Sequence, residues 1–120
     1  MAKYSVADVG ELEGEGPGGV VRKARRAVGA RAFGFNYFVL PPGVEGREHD
    51  ETGSGQEEVM FVVKGSGTLR VDGDEVELRA GRFVRLDPEA LRVPVSGDDG
   101  LEFVTFGAPI GGRYEPPAWG

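Results

Sequence analysis

Glycine and proline are scattered along the whole chain, 21 and 8 times in 120 residues, and they cut its apolar residues into short segments at strand-like spacing. That punctuation predicts an antiparallel all-β domain, with no helix expected anywhere. The chain is long enough for one core and too short for two, so a single domain is expected. Residues 1–19, ending GELEGEGPGG, read as an irregular arm, residues 20–109 as the folded domain, and residues 110–120 as a proline and glycine tail carrying the only tryptophan, Trp119.

Alternation places the strands. Phe33, Phe35, Tyr37 and Val39 alternate with Gly34, Asn36 and Phe38 until Pro41-Pro42-Gly43 ends the segment. The polar stretch REHDETGSGQ reads as a loop. Glu58, Met60 and Val62 then share one face of a strand while Val59, Phe61 and Val63 share the other. A strand apolar on both sides belongs in the middle of a sandwich or at a subunit interface.

Lys64 to Gly67 is expected to turn the chain into TLRV. Asp72-Gly73 predicts a type I′ hairpin, which needs positive φ at both central residues and would set Leu69 opposite Val76 and Arg70 opposite Glu75. Further short strands follow at Phe83, Val84 and Leu86 and in LEFVTFGAP. The basic run Arg22, Lys23, Arg25 and Arg26, with Arg31, reads as a solvated edge strand whose charges discourage edge pairing. Phe33, Phe35, Tyr37, Phe61, Phe83 and Phe103 are expected in the core first and as a ligand platform second.

A net charge of -6 argues against nucleic acid as the main partner, because phosphate binding needs a basic surface. No stretch approaches the roughly 18 to 20 apolar residues of a membrane span. The absence of cysteine excludes thiolate ligands and agrees with a cytoplasmic protein. With one histidine, a Ser-His-acid triad would have to use His49, for which no geometry is indicated.

The stretch EEVMFVVKGSGTLRVDGDEVELRAG resembles the first conserved block of the cupins, small double-stranded β-helix or jelly-roll barrels, and the chain from about Phe33 to Pro109 follows their strand order. The resemblance implies a barrel in which three histidines and a glutamate point inward and hold a divalent metal. Here Gly46 aligns with the glycine before the paired histidines, so Arg47 takes the first histidine position and His49 the second. Glu58 takes the glutamate position, after a loop lengthened at Gly53-Ser54-Gly55, and Arg92 stands where the third histidine would be. Only His49 and Glu58 match the usual four ligands, and guanidinium has no lone pair to donate.

Glu58 shares its face with Met60 and Val62, so its carboxylate is expected in the lumen, and a buried carboxylate needs a partner. Arg47, His49 and Arg92 are the candidates, Arg92 either in the lumen or at the rim with Asp87 or Glu89.

Three readings of function follow. The first is a metal-free cupin that binds a small polar or anionic molecule with Arg47, His49, Glu58, Arg92, Met60 and Tyr37. The second is a metal-dependent dioxygenase, decarboxylase or isomerase holding one Mn, Fe, Ni or Zn ion through His49 and Glu58, helped by Asp50, Glu51 or Gln56. The third is a non-catalytic dimeric scaffold. A homodimer is expected from the two-faced strand Val59 to Val63 and from the aromatic N-terminal strand, with VVRKARRAV as a strand exchanged between copies.

Overall fold

A computed structural model describes residues 2–120. Its strands are β1 (Val21–Arg22), β2 (Gly34–Leu40), β3 (Gln56–Val71), β4 (Asp74–Arg79), β5 (Phe83–Leu86) and β6 (Arg92–Pro109), with a short α-helix, α1 (Ala24–Val28), and two 3-10 turns at Val9–Glu11 and Pro17–Gly19. All pairings are antiparallel, and the hydrogen-bonded order is β1-β2-β6-β3-β4 with β5 on the other edge of the first half of β3.

β3 and β6 are 16 and 18 residues long and pair along nearly their whole length. They do so while passing from one sheet to the other. The register shifts between Val62 and Lys64 and between Gly65 and Gly67, so Lys64 to Gly67 is a bulged bend where a turn was expected. Two close backbone approaches require glycine at the bend. A Cβ on Gly65 would stand 2.1 Å from the Gly100 carbonyl oxygen, and one on Gly67 would stand 2.3 Å from that of Val95. Gly65 also has φ +85°.

The first halves of the long strands' pairing therefore build one sheet, β1-β2-β6-β3-β5. The second halves build another, in which β6 lies between β3 and the segment around Glu45 and His49, which bridge to Val95 and Arg92. Leu40, Met60, Val62, Leu69, Leu78, Leu86, Ala90, Leu101 and Phe103 fill the space between the sheets, all at most 8% exposed. Phe38 stacks on Phe103 at 4.8 Å between ring centroids. The β3–β4 hairpin has the expected register, Leu69 opposite Val76 and Arg70 opposite Glu75. Its turn uses Asp72 at φ 49° and Gly73 at φ 87°.

Several expectations fail for identifiable reasons. The segment VVRKARRAV holds a helix over Ala24–Val28, made of good helix formers and ended by Gly29 in the left-handed region at φ 76°. Only Val21–Arg22 pair as a strand. Arg25 is no solvated charge, since it is 8% exposed and its Nε donates to the Gly120 carbonyl at 2.8 Å and its Nη1 to that of Ala30 at 2.8 Å. The segment after Pro109 is thereby tied to α1, and Tyr114 within it is buried.

The aromatic residues divide by strand face. Phe103 is core, but Phe33, Phe83 and Phe106 are 42%, 69% and 39% exposed on the outer side. No helix among the described residues is long and apolar enough to cross a membrane.

Gly73 and Gly65 both have positive φ, yet a Cβ on Gly73 would meet nothing within 4 Å. Gly73→Ala is therefore expected to cost about 1 kcal/mol of backbone strain. Gly65→Ala is expected to cost at least about 3 kcal/mol, because strain and the steric conflict add. Urea denaturation of the two variants distinguishes them; equal losses would remove the close approach as a constraint.

Candidate functional site

Glu58 lies at the start of β3, opposite Gly107 on β6 and Leu86 on β5, so it faces inward with Met60 and Val62 as the alternation predicts. Gly107 leaves room for it, since a Cβ there would stand 3.1 Å from Glu58 Cγ and 2.7 Å from Gln56 Oε1. From the other sheet, Arg92 opens β6 opposite Val71. It exchanges two backbone hydrogen bonds with His49, at 2.9 and 3.0 Å. The two sheets thus bring Glu58, Arg92 and His49 to one end of the barrel.

Arg92 is 2% exposed, which places it in the lumen and removes the rim pairing with Asp87 or Glu89. Its Nη2 donates to Glu58 Oε1 at 3.1 Å and its Nη1 to the Ala90 carbonyl at 2.7 Å. Asp87 pairs instead with Arg85.

Glu51 completes the cluster. Its backbone N–H donates to the Pro88 carbonyl at 2.7 Å, which fixes the loop, and Ser54 Oγ donates to Glu51 Oε1 at 2.8 Å. Glu51 Oε2 lies 3.3 Å from His49 Nε2. One ligand atom each from His49, Glu51 and Glu58 lies within 4.8 Å of the others.

The electrostatics follow from this crowding. Burial, reinforced by the Glu51 charge, pushes the Glu58 carboxyl above the usual carboxylate range against the opposing pull of Arg92. Hydrogen bonding from His49, and then from Ser54, holds Glu51 below that range against the effect of burial.

The donor set fits a divalent cation. His49 Nδ1 lies 3.4 Å from the Arg47 carbonyl oxygen while Nε2 faces the Glu51 carboxylate, so both ring nitrogens face acceptors. A cation between Nε2 and the Glu51 carboxylate would take the place of the Nε2–H hydrogen bond to Glu51, with the ring proton moved to Nδ1 facing the Arg47 carbonyl. Arg92 engages one oxygen of Glu58 and leaves the other free.

Of the remaining expected site residues, Met60 alone adjoins the cluster. Met60 is 2% exposed directly behind Glu58 and forms the apolar floor of the site. Arg47 is exposed, and no carboxylate among the described residues pairs with it. Tyr37 is corrected to the outer face, because Asn36, Phe38 and Leu40 are the inward residues of β2; its hydroxyl donates to Glu102 at 2.9 Å. Burial and that acceptor push the phenol up to about 12. Asp50 is exposed and bonded by Thr52.

Asn36, Thr105 and Tyr114, none of them expected at the site, stand at the same end of the barrel. Asn36 was legible as the one polar side chain among Gly34, Asn36, Phe38 and Leu40.

A family model described as "Cupin domain" matches residues 36–105. The chain belongs to the cupin family. Among solved structures, it is similar to a cupin protein from Bacteroides fragilis, with 19% identity over 98% of this chain and 93% of that one, at a TM-score of 0.78. It is also similar to a predicted oxalate decarboxylase from Thermotoga maritima, with 21% identity over 88% and 99% of the two chains and a TM-score of 0.71. A third similar structure is a sugar phosphate isomerase of the cupin superfamily from Silicibacter pomeroyi, with 22% identity over 75% of this chain and 59% of that one and a TM-score of 0.62. These likenesses establish the cupin barrel fold. No curated protein matches the sequence.

Glu58 and Arg92 form an ion pair whose side chains are 15% and 2% exposed. Glu58→Leu or Arg92→Met leaves one charge buried alone and is expected to cost about 3–5 kcal/mol, while the double variant recovers most of the loss. Chemical denaturation of the four proteins measures this coupling, and single losses below about 1 kcal/mol would show that the pair is solvated.

Proposed function

We propose that this cupin acts on a small polar or anionic molecule at a divalent cation held by His49, Glu51 and Glu58, with Arg92 fixing the Glu58 carboxylate. The carrying observation is the convergence of one imidazole and two carboxylates within 4.8 Å at one end of the barrel, beyond its apolar core. This donor set suits Mn, Fe, Ni or Zn. When bound, the cation would supply Lewis acidity to a coordinated oxygen. Arg92 orients Glu58, His49 and Ser54 orient Glu51, and Met60 closes the inner side to water. The side chains of His49 and Glu51, 30% and 21% exposed, form the side open to a substrate. A predicted oxalate decarboxylase and a sugar phosphate isomerase among the similar structures agree with a small oxygen-bearing substrate.

A second reading, a metal-free polar pocket, draws on Arg92 Nε, a buried donor without a hydrogen-bond partner among the described residues. It would receive an acceptor oxygen of the ligand directly.

Plasma mass spectrometry of tag-free protein separates the two, a histidine tag being a stronger ligand than the single native histidine. Near-stoichiometric Mn, Fe, Ni or Zn is expected, lost in Glu58→Gln and reduced in Glu51→Gln. Metal-free, folded protein from metal-supplemented cells would overturn the cation reading and leave the polar pocket.

We also infer a homodimer formed through the outer face of the first sheet. Phe35, Phe106 and Val59 lie in one cross-strand row of that face, and Val104, Phe61 and Phe83 in the next. Phe61 and Phe83 pack at 4.5 Å between centroids, yet Phe83 remains 69% exposed. Apolar surface of this continuity is uncommon on a monomer. Light scattering behind size-exclusion chromatography is expected to give a dimer, and a monomer for Phe83→Glu; a monomeric unmodified protein would refute the interface.

A further inference from the structure

Behind Glu58 the lumen carries a second polar layer. The register sets Gly34, Gly107 and Glu58 in one inward-facing row and Asn36, Thr105 and Met60 in the next, with Phe38, Phe103 and the dry core beyond. At the end of the barrel beside Gly34 stands Tyr114, whose hydroxyl would lie 3.1 Å from a Cβ on Gly34 and whose own exposure is 6%.

Within that enclosure the Asn36 carboxamide makes no side-chain hydrogen bond among the described residues, and its Oδ1 is buried. The buried Nε of Arg92 is the other side-chain atom in the same condition. Leaving such a group unsatisfied costs about 1–3 kcal/mol, so an unpartnered carboxamide on an otherwise apolar strand face calls for a function. Leucine or valine would fill the position without that penalty.

The geometry points to Asn36 as a specificity-determining residue that reads a hydroxyl group on the small molecule bound at the Glu58 end. The bound molecule offers a hydroxyl donor to Asn36 Oδ1 and a carboxylate or carbonyl acceptor to Arg92 Nε. That pairing defines a small hydroxy acid or hydroxycarbonyl compound. The packed layer of Met60, Phe103 and Val62 limits how deep it reaches. This inference rests on the reading of the site as a small-molecule site, and it does not depend on whether a cation is held there.

The test compares glycolate with propionate, which replaces the hydroxyl by a methyl group at nearly constant size. Binding to tag-free protein, as isolated and after Mn(II) addition, is followed by the shifts of backbone amide resonances. A site built to bond a hydroxyl rejects the analogue lacking it. The unmodified protein is therefore expected to prefer glycolate by about tenfold or more. Asn36→Leu is expected to remove that preference while leaving metal content and the chromatographic profile unchanged. Asn36→Thr, a smaller change on a strand, covers the case in which the leucine variant does not fold.

Equal binding of the two acids, binding of neither, or a preference that survives in both variants would overturn the role of Asn36. Each of these results stands apart from the metal content, which alone decides the cation reading. A leucine variant that gains stability without changing either affinity would mark Asn36 as a buried polar residue with no ligand to read.

Discussion

The pairing of β3 with β6 is the constraint on which the rest of the structure depends. Two strands that stay hydrogen-bonded while crossing between sheets must bend together, and the bend brings backbones closer than a side chain permits at Gly65 and Gly67. Once the strands bend there, the inward faces of both sheets follow from alternation alone. Glu58 is delivered from the first sheet, and Arg92 with its bridge partner His49 from the second. The site is thus a consequence of strand register across a bulge, and a one-residue slip in β3 would turn Glu58 and Met60 outward together.

Much of this was legible in the sequence because it is local. The Asp72-Gly73 turn fixed the β3–β4 register, since few turns other than type I′ suit two consecutive residues with positive φ. Alternation put Glu58 on one face with Met60 and Val62, and because the other face is apolar too, it took the resemblance to make that face the lumen. The resemblance set Arg92 at the third histidine position by counting from Gly81, but whether it faces the lumen or the rim depends on how β6 pairs with β3.

Less local features were harder to read. On β2 the more aromatic set, Phe33, Phe35, Tyr37 and Val39, looked like the core face, yet the stacking of Phe38 on Phe103 turns the other set inward. Burying Phe38 and Leu40 was incompatible with burying Phe35 and Tyr37 on the same side. The helix α1 carried its own signals, a run of good helix formers before Gly29, and these were outweighed by the glycine-rich surroundings. Arg25 could not be recognised as buried, because its acceptor at Gly120 is 95 residues away in the chain. Glu51 joins the site through the Pro88 carbonyl, a contact between two loops that no periodicity announces.

The replacement of lone-pair donors by arginine changes what such a site can hold. Two carboxylates share one guanidinium in a confined space, an excess of acidic over permanently basic groups. A divalent cation held there, as proposed, would offset that excess, and the centre would then attract an anion that the protein alone, at a net charge of -6, would repel. Arg92 is important in either condition. Its charge restrains the repulsion between Glu51 and Glu58 that burial would otherwise magnify, and its backbone bonds to His49 keep the imidazole beside Glu51. A guanidinium at this position therefore fits a centre with few protein ligands, because it steadies the carboxylates without occupying a coordination position.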